Sequence, residues 1–103
     1  MIIITATIST QFAASRDEVL ALCTEHCIRS RAEPGCIAHH IHVDCEEPER
    51  LFFYEEWQDE DAVAAHFAIP ESRSFVKRLT TLLGEQPEIK MSRTEVLSPT
   101  DLV

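Results

Sequence analysis

Apolar residues recur along this chain with two different periods, and the switches between them mark out its elements. From Ile2 to Thr10, Ile2, Ile4, Ala6 and Ile8 share one face, the period of a half-buried strand. Ser15-Arg16-Asp17-Glu18 is a helix-opening capping pattern. Behind it, Val19, Leu20, Leu22, Cys23, Cys27 and Ile28 form a broad apolar side. Pro34-Gly35 stops that helix and turns the chain. Cys36 to Val43 reads as a second strand, with Cys36, Ala38, His40 and His42 on one face and Ile37, His39, Ile41 and Val43 on the other. The polar run Asp44 to Glu49 is a hairpin loop, and Arg50 to Trp57 a third strand. There Leu51, Phe53, Glu55 and Trp57 share one face, and Phe52, Tyr54 and Glu56 the other.

The period then changes within a few residues. Asp59 is a candidate N-cap, followed by the acidic pair Glu60 and Asp61. Val63, His66 and Phe67 follow at i, i+3, i+4, and Pro70 interrupts the helix. A further helix is expected from about Ser72 to Leu83, stopped by Gly84, and a last strand from Glu88 to Leu97. The order is strand, helix, strand, strand, helix, strand, the ferredoxin-like βαββαβ pattern of an α+β fold. Its helices cover one sheet face, yet the third strand carries bulky residues on both. The second face is expected to be covered by a second copy, in a homodimer.

A length of 103 residues fits a single domain spanning 1–103, with its core at about 2–97 and a short C-terminal tail. The net charge of −9, from 18 acidic against 9 basic residues, argues against nucleic acid or an anionic membrane as partner. No apolar run approaches the ~20 residues of a membrane span, and the start lacks a signal peptide's basic region. The expected compartment is the cytoplasm, where the four cysteines stay thiols. Cys23 and Cys27 read as small buried hydrophobes.

The side chains with chemistry gather around the change of period. His66 projects from the apolar side of its helix, where an imidazole can act as a general base or can be a core histidine bonded to a neighbour such as Glu55. Glu55, on an apolar strand face, could orient His66 or make an ion pair with an arginine such as Arg93. Trp57 and Phe53 could stack on a planar substrate or simply fill the core. Tyr54, His40 and His42 could line the opposite sheet face or bond to solvent. His40 and His42, at i, i+2, could approach a divalent ion only with a third ligand such as Glu56. No HExxH or paired CxxC is present, so no metal is expected.

Glu33-Pro34-Gly35-Cys36, Tyr54-Glu55-Glu56-Trp57 and Ala65-His66-Phe67, in this order and spacing, resemble the antibiotic biosynthesis monooxygenase (ABM) family, from about Ile2 to Val96. The resemblance implies a dimeric α+β barrel. It also implies an enzyme that oxidises a quinol or polyphenolic aromatic substrate with molecular oxygen, without metal or flavin. On that reading His66 and Glu55 are the catalytic candidates, and Trp57, Phe53, Tyr54, His40, His42 and Phe67 the substrate-binding ones. The stretch from Tyr54 to His66 is also similar to a branch that processes a small phosphorylated signalling metabolite. An isomerase-like step of that kind, or a non-catalytic dimeric binding module, are the alternatives. The haem-degrading branch places an axial histidine where this chain has Phe75-Val76-Lys77, and an asparagine on the first strand is also missing, so haem is not expected.

Overall fold

Strand β1 (Ile2–Ser9) buries Ile2, Ile4, Ala6 and Ile8 and leaves the side chains between them partly or fully open, in a computed structural model that describes residues 1–103. Helix α1 (Arg16–Arg31) starts at Ser15, whose Oγ accepts a hydrogen bond from the Glu18 N–H at 3.2 Å. Its buried stripe is Val19, Cys23, His26, Cys27 and Ser30, a spacing of three to four residues. Ile28, expected on that stripe, is exposed. It lies off the arc these five residues share, and the polar His26 and Ser30 complete the buried face instead.

After α1 the chain turns at Gly35, whose φ of 83° lies in the left-handed region. The Gly35 carbonyl accepts from the Gln58 N–H at 2.8 Å, tying the turn to the end of the third strand. Strands β2 (Cys36–Val43) and β3 (Arg50–Trp57) form an antiparallel hairpin. Its register slips between Cys36 and Ala38, where Ile37 is an extra residue. The bulge corrects the expected faces of β2: Cys36 packs with the buried side, as His39 does, rather than with Ala38, His40 and His42.

Helix α2 (Glu60–Ala68) is capped by Asp59, whose carboxylate accepts from the Ala62 N–H at 2.9 Å. Pro70 ends α2 and also opens α3 (Pro70–Leu83), two residues before the expected start. Its fixed φ suits a first helical position, where no N–H is needed. Gly84, at φ 74°, closes α3. Strand β4 is Glu88–Arg93, shorter than expected. It pairs with β1, and Arg93 lies opposite Ile2, where β1 begins. The ladder has no further partner, and Thr94 N–H makes a last bond to the Met1 carbonyl.

The sheet order is β2-β3-β1-β4 with every neighbour antiparallel, the ferredoxin-like arrangement. All buried strand side chains lie on one face. Ten buried residues, including Val19, Leu51, Phe53 and Leu79, make the main core. Ile2, Ile4, Trp57 and Val63 form a separate cluster of four that joins the sheet to α2. The second face presents Thr7, Phe52, Tyr54, His40 and His42, with Phe52 37% exposed. No helix of the fold is long and apolar enough to cross a membrane.

Candidate active site

His66 sits on α2 at the last turn but is 3% exposed, because the helix lays that face on Trp57 (ring centroids 4.7 Å apart). Its Nδ1 lies 2.9 and 3.1 Å from the two carboxylate oxygens of Glu33. A carboxylate only accepts, so Nδ1–H donates to Glu33 and the neutral ring keeps its lone pair on Nε2. Glu33 lies in the turn that follows α1, and at Gly35 this turn packs directly against Ala62 of α2. The sequence assigned this orienting role to Glu55, and the geometry corrects it. Glu55 Oε1 instead accepts from the Trp57 indole N–H at 2.9 Å, two residues along the same strand face. Arg93, the other expected partner of Glu55, pairs with Glu60.

Two further histidines converge on the same place. His26 projects from α1 and stacks flat on Phe75, with centroids 3.8 Å apart and planes 3° from parallel. Arg29 Nη2 lies 3.0 Å from its Nδ1. A guanidinium only donates, so Nδ1 accepts and the proton sits on Nε2. Burial holds the His26 pKa down at about 2, with help from the charges of His39, His66 and Arg29, so this ring is neutral. His39, fully buried on β2, has Nδ1 3.2 Å from Cys27 Sγ and Nε2 3.2 Å from Glu55 Oε1. Burial, with the Glu55 carboxylate adding to it, pushes the Cys27 thiol up to about 12. The thiol is therefore protonated and can donate to Nδ1, which puts the His39 proton on Nε2 beside Glu55. That approach lacks hydrogen-bond alignment, and His39 Nε2 is left without a directional partner.

One ring nitrogen from each of His26, His39 and His66 lies within 4.8 Å of the other two. The spacing would suit a divalent ion, but the donor set does not. A ligating imidazole offers a lone pair and donates its other N–H to an acceptor. His66 on Glu33 meets that condition. His26 does not, because Arg29 occupies its Nδ1 lone pair and leaves N–H on the remaining nitrogen. The outer-face trio considered from the sequence is also unsuited. His40 and His42 are exposed, with rings 6.2 Å apart, and Glu56 Oε2 is taken by the Tyr54 hydroxyl at 2.8 Å.

A cleft of about 620 Å³ opens between the sheet and α3, and its walls include both His26 and His66. Ile4, Ala6, Phe53, Phe75, Leu79 and Ile89 make much of it apolar, while Arg73 and Lys77 add two cations from α3. Of the residues singled out from sequence, Phe53, Glu55, His66 and Phe67 line this cleft. Trp57 does not: it is fully buried beneath α2 and supports His66 from behind. Tyr54, His40 and His42 lie on the uncovered face across the sheet, so they do not share a site with His66. The sequence reading missed His26, Arg29 and the side-chain role of Glu33. His26 had a visible signal, since it falls on the Val19-Cys23-Cys27-Ser30 stripe of α1.

The antibiotic biosynthesis monooxygenase family model matches residues 1–78. A Synechocystis sp. protein, sll1783, is 34% identical over 76 residues, which is 74% of this chain and 52% of that protein. The chain thus spans about half the length of that curated relative. A conserved protein from Methanosarcina mazei has the same fold at a TM-score of 0.83 and 26% identity, over 91% of this chain and 92% of the other. A candidate antibiotic biosynthesis monooxygenase from Deinococcus radiodurans superposes with a TM-score of 0.81 at 22% identity, over 95% and 96% of the two chains. The matched segment carries β1 through most of α3, and with it Glu33, Glu55 and His66. This chain belongs to the antibiotic biosynthesis monooxygenase family.

Proposed function

We propose that this protein is a cofactor-independent monooxygenase that oxidises a quinol or polyphenolic ring with molecular oxygen. The observation that carries the reading is the Glu33–His66 pair at the wall of a largely apolar cleft. His66 Nε2 takes the proton of a ring hydroxyl, and Glu33 stabilises the imidazolium that forms. The resulting phenolate is electron-rich enough to reduce oxygen directly. Over the full reaction a quinol ring gains one oxygen atom and loses two hydrogens, and the second oxygen atom leaves with those hydrogens as water. Phe53 and Phe67 flank the ring, and Glu55, held by the Trp57 indole N–H, completes the wall beside it.

The same reading has the protein act as a homodimer in which the uncovered face with Phe52, Tyr54, His40 and His42 meets its copy. A monomeric mass by light scattering at micromolar concentration would count against that assembly. Oxygen uptake with a panel of quinols tests the reaction. His66→Ala should cut turnover by ~10²–10⁴, the range of general-base catalysis, without changing the mass in solution. Unchanged turnover would remove His66 from the mechanism.

Arg73 and Lys77, one turn apart on α3 at the cleft, favour a second reading. They suit an anionic group on the substrate, as in isomerisation or processing of a small phosphorylated metabolite. The same base would serve and no oxygen would be consumed. Competition by a simple sugar phosphate, lost in Arg73→Glu, would favour this reading over the first.

A further inference from the structure

We infer that His26 is a second substrate-contacting group, a neutral imidazole whose Nε2–H donates to the same ionisable ring oxygen that His66 deprotonates. The inference rests on the reading that the cleft is the substrate site. Its ground is the opposite wiring of two rings. Glu33, an acceptor, fixes the proton of His66 on Nδ1, while Arg29, a donor, fixes the proton of His26 on Nε2. One ring therefore offers a lone pair and the other an N–H. Both line the cleft, with ring centroids 5.3 Å apart.

Among the three histidines only these two face the cleft; His39 does not line it. No hydrogen bond within the chain engages the second nitrogen of His26. One ring nitrogen of His26 lies within 4.8 Å of one on His66, so the two rings stand close enough for a single substrate oxygen to reach both at hydrogen-bond distance. Such an atom matches a hydroxyl on an sp² carbon, a phenol or an enol. It gives its proton to His66 and keeps the electron pair, and the N–H of His26 then meets the negative charge. In the step the O–H bond breaks, an N–H bond forms on His66, and His26 changes no bond.

The groups facing His26 explain why it stays a donor rather than an acid. His39 from β2 lies 5.2 Å away between ring centroids, His66 from α2 shares its cleft, and Arg29 sits on its own helix. Glu55 from β3, the one carboxylate lining the cleft, is engaged by Trp57 and stands beside His39. A proton added to His26 would meet positive or ionisable nitrogens on three sides. Phe75, stacked on the ring, also restricts its tilt. A pre-aimed, permanently neutral donor of this kind stabilises charge that develops on a substrate oxygen. Arg29 acts through His26 and is a positioning residue.

The test uses 4-nitrophenol, whose phenolate absorbs where the phenol does not. The wild-type protein should bind it with a larger phenolate fraction at neutral pH than free solution shows. His26→Phe keeps the ring stack on Phe75 and removes the donor. It should bind the phenolate roughly 10- to 100-fold more weakly, the worth of a hydrogen bond to a charged oxygen. His26→Gln returns an N–H near the Nε2 position and should recover much of that loss. Wild-type protein that fails to bind the probe, a His26→Phe variant that binds it equally well, or a His26→Gln variant as weak as His26→Phe would each overturn the inference. Failure of the oxidation reading looks different: no oxygen uptake with any quinol, while binding of nitrophenolate still depends on His26. Undiminished oxygen uptake in His26→Phe would instead remove His26 and leave the oxidation standing.

Discussion

Glu33 and His66 are 33 residues apart in the chain and 2.9 Å apart in the fold, joining the end of α1 to α2. Glu33→Gln keeps an acceptor at Nδ1 but removes the charge that, in the proposed mechanism, stabilises the imidazolium. Turnover should fall roughly 10- to 100-fold, part of what a general base contributes. Substrate affinity should hold, because Glu33 does not line the cleft. Steady-state kinetics separate the two; an equal rise in KM with unchanged kcat would make Glu33 a packing residue only.

Gly35 and Gly84 both have positive φ, but their surroundings differ. A Cβ on Gly35 would meet Ala62 Cβ at 2.5 Å, whereas one on Gly84 meets nothing within 4 Å. Gly84→Ala should cost about 1–2 kcal/mol, the left-handed strain alone. Gly35→Ala should cost a further ~1–3 kcal/mol for the overpacking against α2. Urea denaturation of the two variants checks the order, and equal losses would contradict it.

Cys23 and Cys27 are buried, with thiols pushed up to about 12, while Cys45 is exposed. In the native protein a thiol reagent should label Cys45 first and Cys36, half-buried with its thiol near 11, slowly. Cys23 and Cys27 should react only on unfolding. Above pH 9 the unfolded chain loses these protons while the fold retains them. Stability should therefore fall as pH rises from 9 toward 12, and less steeply in Cys23→Ala. Identical slopes would show that the thiol is not shielded.

His26 produces the opposite dependence in acid. Its pKa drops from 6.5 to about 2 in the fold, so between those values the unfolded chain binds a proton that the folded chain does not. Its contribution to stability is present above pH 6.5 and is lost as pH falls toward 2. His26→Phe should lose stability more gently across that window, by up to one proton's slope, about 1.4 kcal/mol per pH unit. Denaturant midpoints at pH 4 and pH 7 measure it, and parallel curves would refute a neutral buried His26.

The elements and their order could be read from the sequence because each announces its own period. Ile2, Ile4, Ala6 and Ile8 on β1, and Leu51, Phe53, Glu55 and Trp57 on β3, are buried as the alternation requires. The period of β2 misled at one residue, because the bulge at Ile37 depends on the partner strand and leaves no mark in the spacing. His66 was legible because it sits on an apolar helical stripe. Its partner was not. Glu33 meets it only through a turn whose direction Gly35 sets, and the nearer carboxylate in the motif, Glu55, is engaged by the Trp57 indole N–H and stands beside His39. His26 is hard to see in the sequence because a polar residue within an apolar stripe reads as an interruption, when here it completes the buried face and lines the cleft.

The four-residue cluster under α2 has a consequence for dynamics. Helix α2 is anchored by Ile2, Ile4, Trp57 and Val63, a core separate from the ten-residue one that holds α1, α3 and the rest of the sheet. The smaller anchor should let α2 open in local unfolding before α1 and α3, at a free energy below that of the whole domain. Each opening breaks the Glu33–His66 bond and exposes Trp57, while the main core stays intact. Amide exchange in 60–68 should therefore run faster than in α1. The base would be the least durable part of the site, and the protein would lose its chemistry on warming before it lost its fold.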